Sequence, residues 1–288
     1  MSASDRDTTT PVKAVRRPAT KVQVVVWDGT ATRRTDEVVT EEPLQIRAQG
    51  PGQALRDVAI TMRTPGHDFE LAVGYLVGEG AIRSGDEVRE VRYCDVDPGQ
   101  PQLYNVVTVA TARPLPESLF GRSAVIGASC GACGKTSIDQ LHVHTEPLGP
   151  GPPVPISLLV SLPERLREGQ TVFDRTGGVH AAGRFRADGT LVAVREDVGR
   201  HNAVDKLVGA AVLGGPRIDG DVLVLSGRVS FEMVQKAVVA RFPIVVAVSA
   251  PSSLAVRAAE ELGCTVLGFT RDGAANVYSH TDRVDLTA

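Results

Sequence analysis

A chain of 288 residues, 42% hydrophobic and 23% charged, has the composition of an ordinary soluble globular protein with one large or two modest domains. Its formal net charge of −3 excludes a general attraction to nucleic acid or to anionic membranes. No stretch approaches the roughly 18 uninterrupted apolar residues that a membrane helix needs, and residues 1–20 lack the apolar segment of a secretory signal.

Residues 1–20 mix Lys13, Arg16 and Arg17 with Asp5 and Asp7 and read as a disordered tail. Residues 21–27 form a β-branched run, and residues 38–47 read as one or two further strands. Phe69, Leu71, Ala72, Val73, Tyr75, Leu76 and Val77 predict a buried apolar helix, which Gly74, Gly78 and Gly80 weaken. Residues 103–110 alternate as a strand does. Next comes the glycine-rich stretch Gly127-Ala-Ser-Cys-Gly-Ala-Cys-Gly-Lys135, then a linker or exposed loop at 147–155, where five of nine residues are proline. Residues 181–186 and 191–195 flank Asp188-Gly189 as a hairpin, and residues 202–213 read as a helix. Apolar strands at 222–226, 244–248 and 265–269 alternate with helices at 231–241 and 254–262. Strands apolar on both faces with helices between them indicate a parallel βαβαβ core. The expected class is α/β: a tail at 1–20, a smaller strand-rich α+β part at 21–120, a mobile cysteine loop and linker at 121–155, and an α/β domain at 156–288.

Open parallel sheets bind ligands beyond the carboxyl ends of their strands. Here those ends are Ser226-Gly227-Arg228, Ser249-Ala250-Pro251-Ser252 and Thr270-Arg271-Asp272-Gly273. Small residues admit close backbone approach, the arginine forks suit phosphate, and Ser252 or Ser253 can cap the following helix. A nucleotide- or phosphate-bearing ligand is the expectation. No GxGxxG or P-loop follows the first of these strands, which disfavours an ordinary NAD site or an NTPase.

Four cysteines, Cys94, Cys130, Cys133 and Cys264, are too few for a disulfide framework, so a reducing, cytoplasmic setting is expected. The pair Cys130 and Cys133 admits several chemistries. A structural zinc site lacks a second CxxC, and Cys94, Cys264, His142 and His144 complete no usual spacing. A deaminase zinc site needs H-x-E and P-C-x-x-C, whereas Ser129 precedes Cys130 and His67 stands three residues before Glu70. No permanent metal is therefore expected. A thioredoxin-like dithiol opens a helix, and Gly127, Gly131 and Gly134 oppose that. A mobile sulfur carrier suits a glycine-rich loop: one cysteine holds a persulfide, the second helps to release it, and Lys135 favours the thiolate.

Two further runs, residues 173–180 (FDRTGGVH) and 195–202 (REDVGRHN), join carboxylates, arginines and histidines beside glycine. They present His180, Asp197, Arg200 and His201 as a candidate polar network. In order along the chain, Cys-Gly-Ala-Cys-Gly-Lys135, Thr-Gly-Gly-Val-His180, Glu-Asp-Val-Gly-Arg-His-Asn-Ala-Val-Asp-Lys206, Leu-Ser-Gly-Arg228 and Gly-Phe-Thr-Arg271 resemble the formate dehydrogenase accessory sulfurtransferase family, FdhD. The resemblance runs from about residue 41 to the C-terminus. It implies a cytoplasmic sulfurtransferase, a sulfur carrier between a cysteine desulfurase and the molybdenum cofactor bis-molybdopterin guanine dinucleotide, which is sulfurated before it enters formate dehydrogenase. It further implies a persulfide on Cys130 with Cys133 as companion, and a cofactor-binding stretch at Phe269, Thr270, Arg271, Asp272, Gly273 and Ala274. A cytidine-deaminase-like fold and a homodimer follow from the same resemblance. The alternatives are a dithiol oxidoreductase and a chaperone that holds the cofactor without sulfur chemistry.

Overall fold

The computed structural model describes residues 17–95, 101–120, 125–126, 145–218 and 220–287; Cys130, Cys133, Lys135, His142 and His144 lie outside the described residues. The chain opens with a hairpin of β1 (Ala19–Trp27) and β2 (Ala31–Val39), paired along the full length of both strands. β3 (Glu42–Gln49) and β4 (Arg56–Arg63) follow, with Leu44, Ile46 and Ala48 fully buried at period two. The expected apolar helix is α1 (Asp68–Gly78), in which Leu71, Ala72, Val73 and Leu76 are fully buried. β5 (Val88–Tyr93), β6 (Val106–Thr111) and β7 (Val125–Ile126) complete a five-stranded sheet of order β5-β6-β3-β4-β7. β6 starts later than the alternation at 103–110 indicates, because Tyr104 turns into the left-handed region (φ 52°). Val107, Thr108 and Val109 are then buried in succession between β5 and β3, so the strand is covered on both faces.

β8 (Val154–Pro155), α2 (Ile156–Glu168) and α3 (Thr171–Thr176) lead into the hairpin of β9 (His180–Phe185) and β10 (Leu191–Asp197). Then come α4 (Arg200–Val212), β11 (Val222–Leu225), α5 (Phe231–Val239), β12 (Ile244–Ala247), α6 (Ser253–Leu262), β13 (Thr265–Arg271), β14 (Ala274–Val277) and β15 (Val284–Asp285). β11, β12 and β13 are parallel, as their two-faced apolar pattern requires. β9 and β14 flank them antiparallel, giving a mixed six-stranded sheet of order β10-β9-β11-β12-β13-β14.

The two faces of that sheet have different partners. Leu223, Leu225, Val245, Ala247 and Val266 join an apolar core that also holds Leu44, Ile46, Leu71, Leu76, Val107, Val204 and Val234. One core therefore joins residues from both sides of the cysteine stretch. Val222, Val224, Ile244, Val246 and Leu267 pack beneath α2 with Leu159, Leu162 and Leu166. Each such side chain contributes about 1.5–3 kcal/mol on burial. The proline-rich stretch is an exposed loop over most of its length, as expected, and it is also pinned to the fold as a strap. Leu148 N donates to Leu262 O at 2.9 Å, Arg283 donates to Gly149 O, and Val154 pairs with Val284.

Candidate functional site

The carboxyl ends of the parallel strands open into a cavity of about 720 Å³. Ser226 follows β11, Val248 follows β12, Thr270 and Arg271 end β13 and Asp272 follows it; all five line the cavity. The facing wall comes from α2 and α3, with Pro163, Leu166, Arg167 and Phe173, and His180 lines it from the start of β9. Three strand ends thus meet at one rim, the position where a parallel sheet takes its ligand.

Residues 270–273 are not an open loop. Asp272 (φ 52°) and Gly273 (φ 72°) make the tight turn of the β13–β14 hairpin, and Arg271 pairs with Ala274. The register slips between Gly268 and Arg271, where Phe269 takes φ 52° and is 42% exposed. Phe269 N donates to Ser249 O at 3.2 Å, so Ser249 anchors the irregularity from behind. Ser252 caps α6, accepting from Ala255 N at 3.2 Å. Arg228 is exposed, beyond the cavity wall.

His180 is half-buried, with Gly227 against its ring: a Cβ on Gly227 would lie 3.3 Å from His180 Nδ1. Burial, and then the charges of Arg200, His201 and Arg228, hold the His180 imidazole below its ordinary pKa, with Asp197 opposing. Thr270 is fully buried and its Oγ1 has no hydrogen-bond partner; the buried Nε of Arg200, beside Gly227, has none either. Such atoms cost about 1–3 kcal/mol each and are rare in native interiors, and one of the two, the Thr270 hydroxyl, belongs to a residue that lines the cavity.

The run 195–206 divides by role. Glu196 accepts from Val172 N (2.8 Å) and Phe173 N (2.9 Å), which fixes α3 and with it the cavity wall. Asp197, fully buried, accepts from Gly199 N (2.8 Å), Asn202 Nδ2 (2.9 Å) and Thr64 N (3.1 Å) and pairs with Lys206 Nζ at 2.7 Å. Asn202 also donates to Met62 O and Lys206 to Thr64 O, tying this loop to the end of β4. His201 turns to α5, 2.9 Å from Glu232. Of the candidate network, His180 lines the cavity and Arg200 stands behind it beside Gly227, whereas Asp197 and His201 brace the fold. The cavity face of α2 and the Arg167–Phe173 pair (4.8 Å from guanidinium to ring centre) are additions that the sequence reading did not make. The period Leu159, Leu162, Leu166 carries the signal for α2.

Cys264 is fully buried in the core, which pushes its thiol up to about 12, and Cys94 lies near Thr108 Oγ1 at 3.7 Å. Among the described residues no group of three or more His, Cys, Asp or Glu side chains is placed to hold a metal ion, and no helix is long and apolar enough to cross a membrane.

The FdhD/NarQ family model matches residues 39–285. A relative from Streptomyces coelicolor, named a sulfur carrier protein FdhD, is 49% identical over 272 residues, covering 91% of this chain and 94% of its own length. One from Anaeromyxobacter dehalogenans with the same name is 44% identical, covering 96% and 99%. The crystal structure of a protein assigned as a formate dehydrogenase accessory protein of Desulfotalea psychrophila superposes with TM-score 0.73 at 25% identity, over 93% of this chain and 100% of that one. The matched span starts at the end of β2 and runs to β15, enclosing the cysteine pair and every residue of the strand-end cavity, and the chain belongs to the FdhD/NarQ family.

Proposed function

We propose that this chain is a sulfur carrier and transferase that serves the maturation of formate dehydrogenase in the cytoplasm. The relatives' names support the carrier role, and the strand-end cavity carries the reading further. Its volume of about 720 Å³ is that of a nucleotide-sized site. Arg271, the unpartnered Thr270 hydroxyl and the His180 ring suit the phosphates of a dinucleotide. The substrate held there is the molybdenum cofactor bis-molybdopterin guanine dinucleotide, and the donor is a cysteine desulfurase. A homodimer and a cytidine-deaminase-like arrangement of the α/β part belong to the same reading.

Cys130 acts as a thiolate. It attacks the outer sulfur of the donor's persulfide, the donor's S–S bond breaks, and the donor thiolate leaves; Cys130 then carries the persulfide. Cys133 attacks the inner sulfur, a Cys130–Cys133 disulfide forms, and the outer sulfur leaves with the electron pair as hydrosulfide, which the bound cofactor would accept. A dithiol reductant restores the pair. The test is formate dehydrogenase activity in cells whose own carrier is replaced by Cys130→Ala or Arg271→Ala. Both are expected to lose nearly all activity. Full activity with Cys130→Ala, alongside loss with Arg271→Ala, would instead make the protein a chaperone without sulfur chemistry.

A further inference from the structure

Four cationic side chains are buried among the described residues: Arg63, Arg184, Lys206 and Arg283. The first three have carboxylate partners: Arg63 with Asp68 at 2.8 Å, Arg184 with Asp221, and Lys206 with Asp197 at 2.7 Å. Arg283, 3% exposed, meets only carbonyl and hydroxyl oxygens: Gly263 O at 2.7 Å, Gly149 O, and Thr265 Oγ1 at 3.3 Å. Its Nε is buried with no partner and lies against Gly151 of the strap. A guanidinium withdrawn from water without a counter-charge is strongly disfavoured unless something supplies one.

Arg283 lines a second cavity, of about 910 Å³. It lies at the amino-terminal ends of β11 and β12, where Gly220, Pro243 and Ile244 line it, so the sheet separates it from the strand-end cavity. The strap residues Gly149, Pro150, Gly151 and Pro152 form one side, and Leu148, Val154 and Ile218 add apolar surface. Arg217 and Arg241 are the other charged residues of the lining, which holds no carboxylate among the described residues. Arg241 donates only a long bond, 3.4 Å, to Glu146 O. Three arginines, with no acid among the described lining residues, around a concave and partly apolar space favour a multiply charged organic anion: arginine forks match phosphate oxygens, and the apolar surface accepts a ring or chain.

We propose that this second cavity binds a phosphate-bearing anion of up to nucleotide size, held by Arg217, Arg241 and Arg283. The site stands apart from the sulfur-carrier reading and does not depend on it.

The test is calorimetric titration of the full chain with inorganic pyrophosphate and, separately, with ADP, which lacks the guanine expected in the strand-end cavity. Wild type, Arg271→Ala and the double variant Arg217→Gln/Arg241→Gln are compared. Arg217 and Arg241 are exposed, and an unchanged melting temperature checks that the double variant folds. Wild type and Arg271→Ala are expected to bind, and the double variant about ten-fold more weakly or worse. Tighter binding of ADP than pyrophosphate would assign the apolar lining to a nucleoside; equal binding would assign the site to phosphate groups alone. No binding to wild type overturns the proposal. So does binding that survives in the double variant and disappears in Arg271→Ala, which would place the anion in the strand-end cavity.

Discussion

His180 stands half-buried among Arg200, His201 and Arg228, with its pKa below the ordinary value. A phosphate bound beside it favours the imidazolium and raises that pKa, so binding takes up a proton. GDP affinity is therefore expected to rise as pH falls from about 7.5 toward 6, and His180→Gln to flatten that rise, both read by calorimetry. An affinity that falls with pH, or an identical profile in the variant, would contradict this. The unliganded fold shows the opposite trend. Below the ordinary histidine value the unfolded chain binds the proton that native His180 resists, so its contribution to stability is present above that value and lost as pH falls. Thr270→Val removes a hydroxyl with no partner. Its melting temperature is expected to equal or exceed that of wild type while GDP binds several-fold more weakly, about 1 kcal/mol. Asp197→Ala strands Lys206 in the interior and should cost about 3–5 kcal/mol in urea unfolding, with no comparable loss expected from His201→Gln. The sequence placed Asp197, Arg200 and His201 in one polar run but could not separate them. The partners that give Asp197 its bracing role, Thr64 and Lys206, come partly from more than a hundred residues earlier in the chain.

At the scale of elements, α1 and α4 cross so closely that a Cβ on Gly74 would overlap the backbone carbonyl of Asp205, and one on Gly209 that of Glu70. Gly74, one of the glycines that weaken the helix pattern, permits this crossing together with Gly209. Gly74→Ala should cost about 1–3 kcal/mol or more, measured as a lowered denaturation midpoint, despite alanine's better helix propensity. A stabilised Gly74→Ala would refute the packing argument. The parallel strands were legible because Val222, Leu223, Val224 and Leu225 are apolar on both faces, and Asp188-Gly189 announced its hairpin. Asp272-Gly273 carries the same signal, but its place after a parallel strand made an open loop the natural reading. Helix α2 was hidden by Pro163 at its middle, where the missing donor ordinarily breaks a helix. The five prolines of the strap announced an exposed loop but not its pinning by Arg283, which depends on a contact 134 residues away.

For the whole molecule, one apolar core joins the five-stranded sheet, α1 and α4 to one face of the six-stranded sheet, while α2 covers the other and walls the strand-end cavity. The rim was readable because it follows from parallel topology, and the far wall was not because α2 and α3 reach it only through tertiary packing. The proposed sulfur chemistry rests on Cys130, which lies outside the described residues, and its role is what the family resemblance implies. The decisive measurement is mass spectrometry of the protein after incubation with a cysteine desulfurase and cysteine. The account predicts one reductant-labile added sulfur on the Cys130 peptide of wild type and none on the Cys130→Ala protein. Added sulfur on neither cysteine, or undiminished loading of Cys133 in Cys130→Ala, would contradict it.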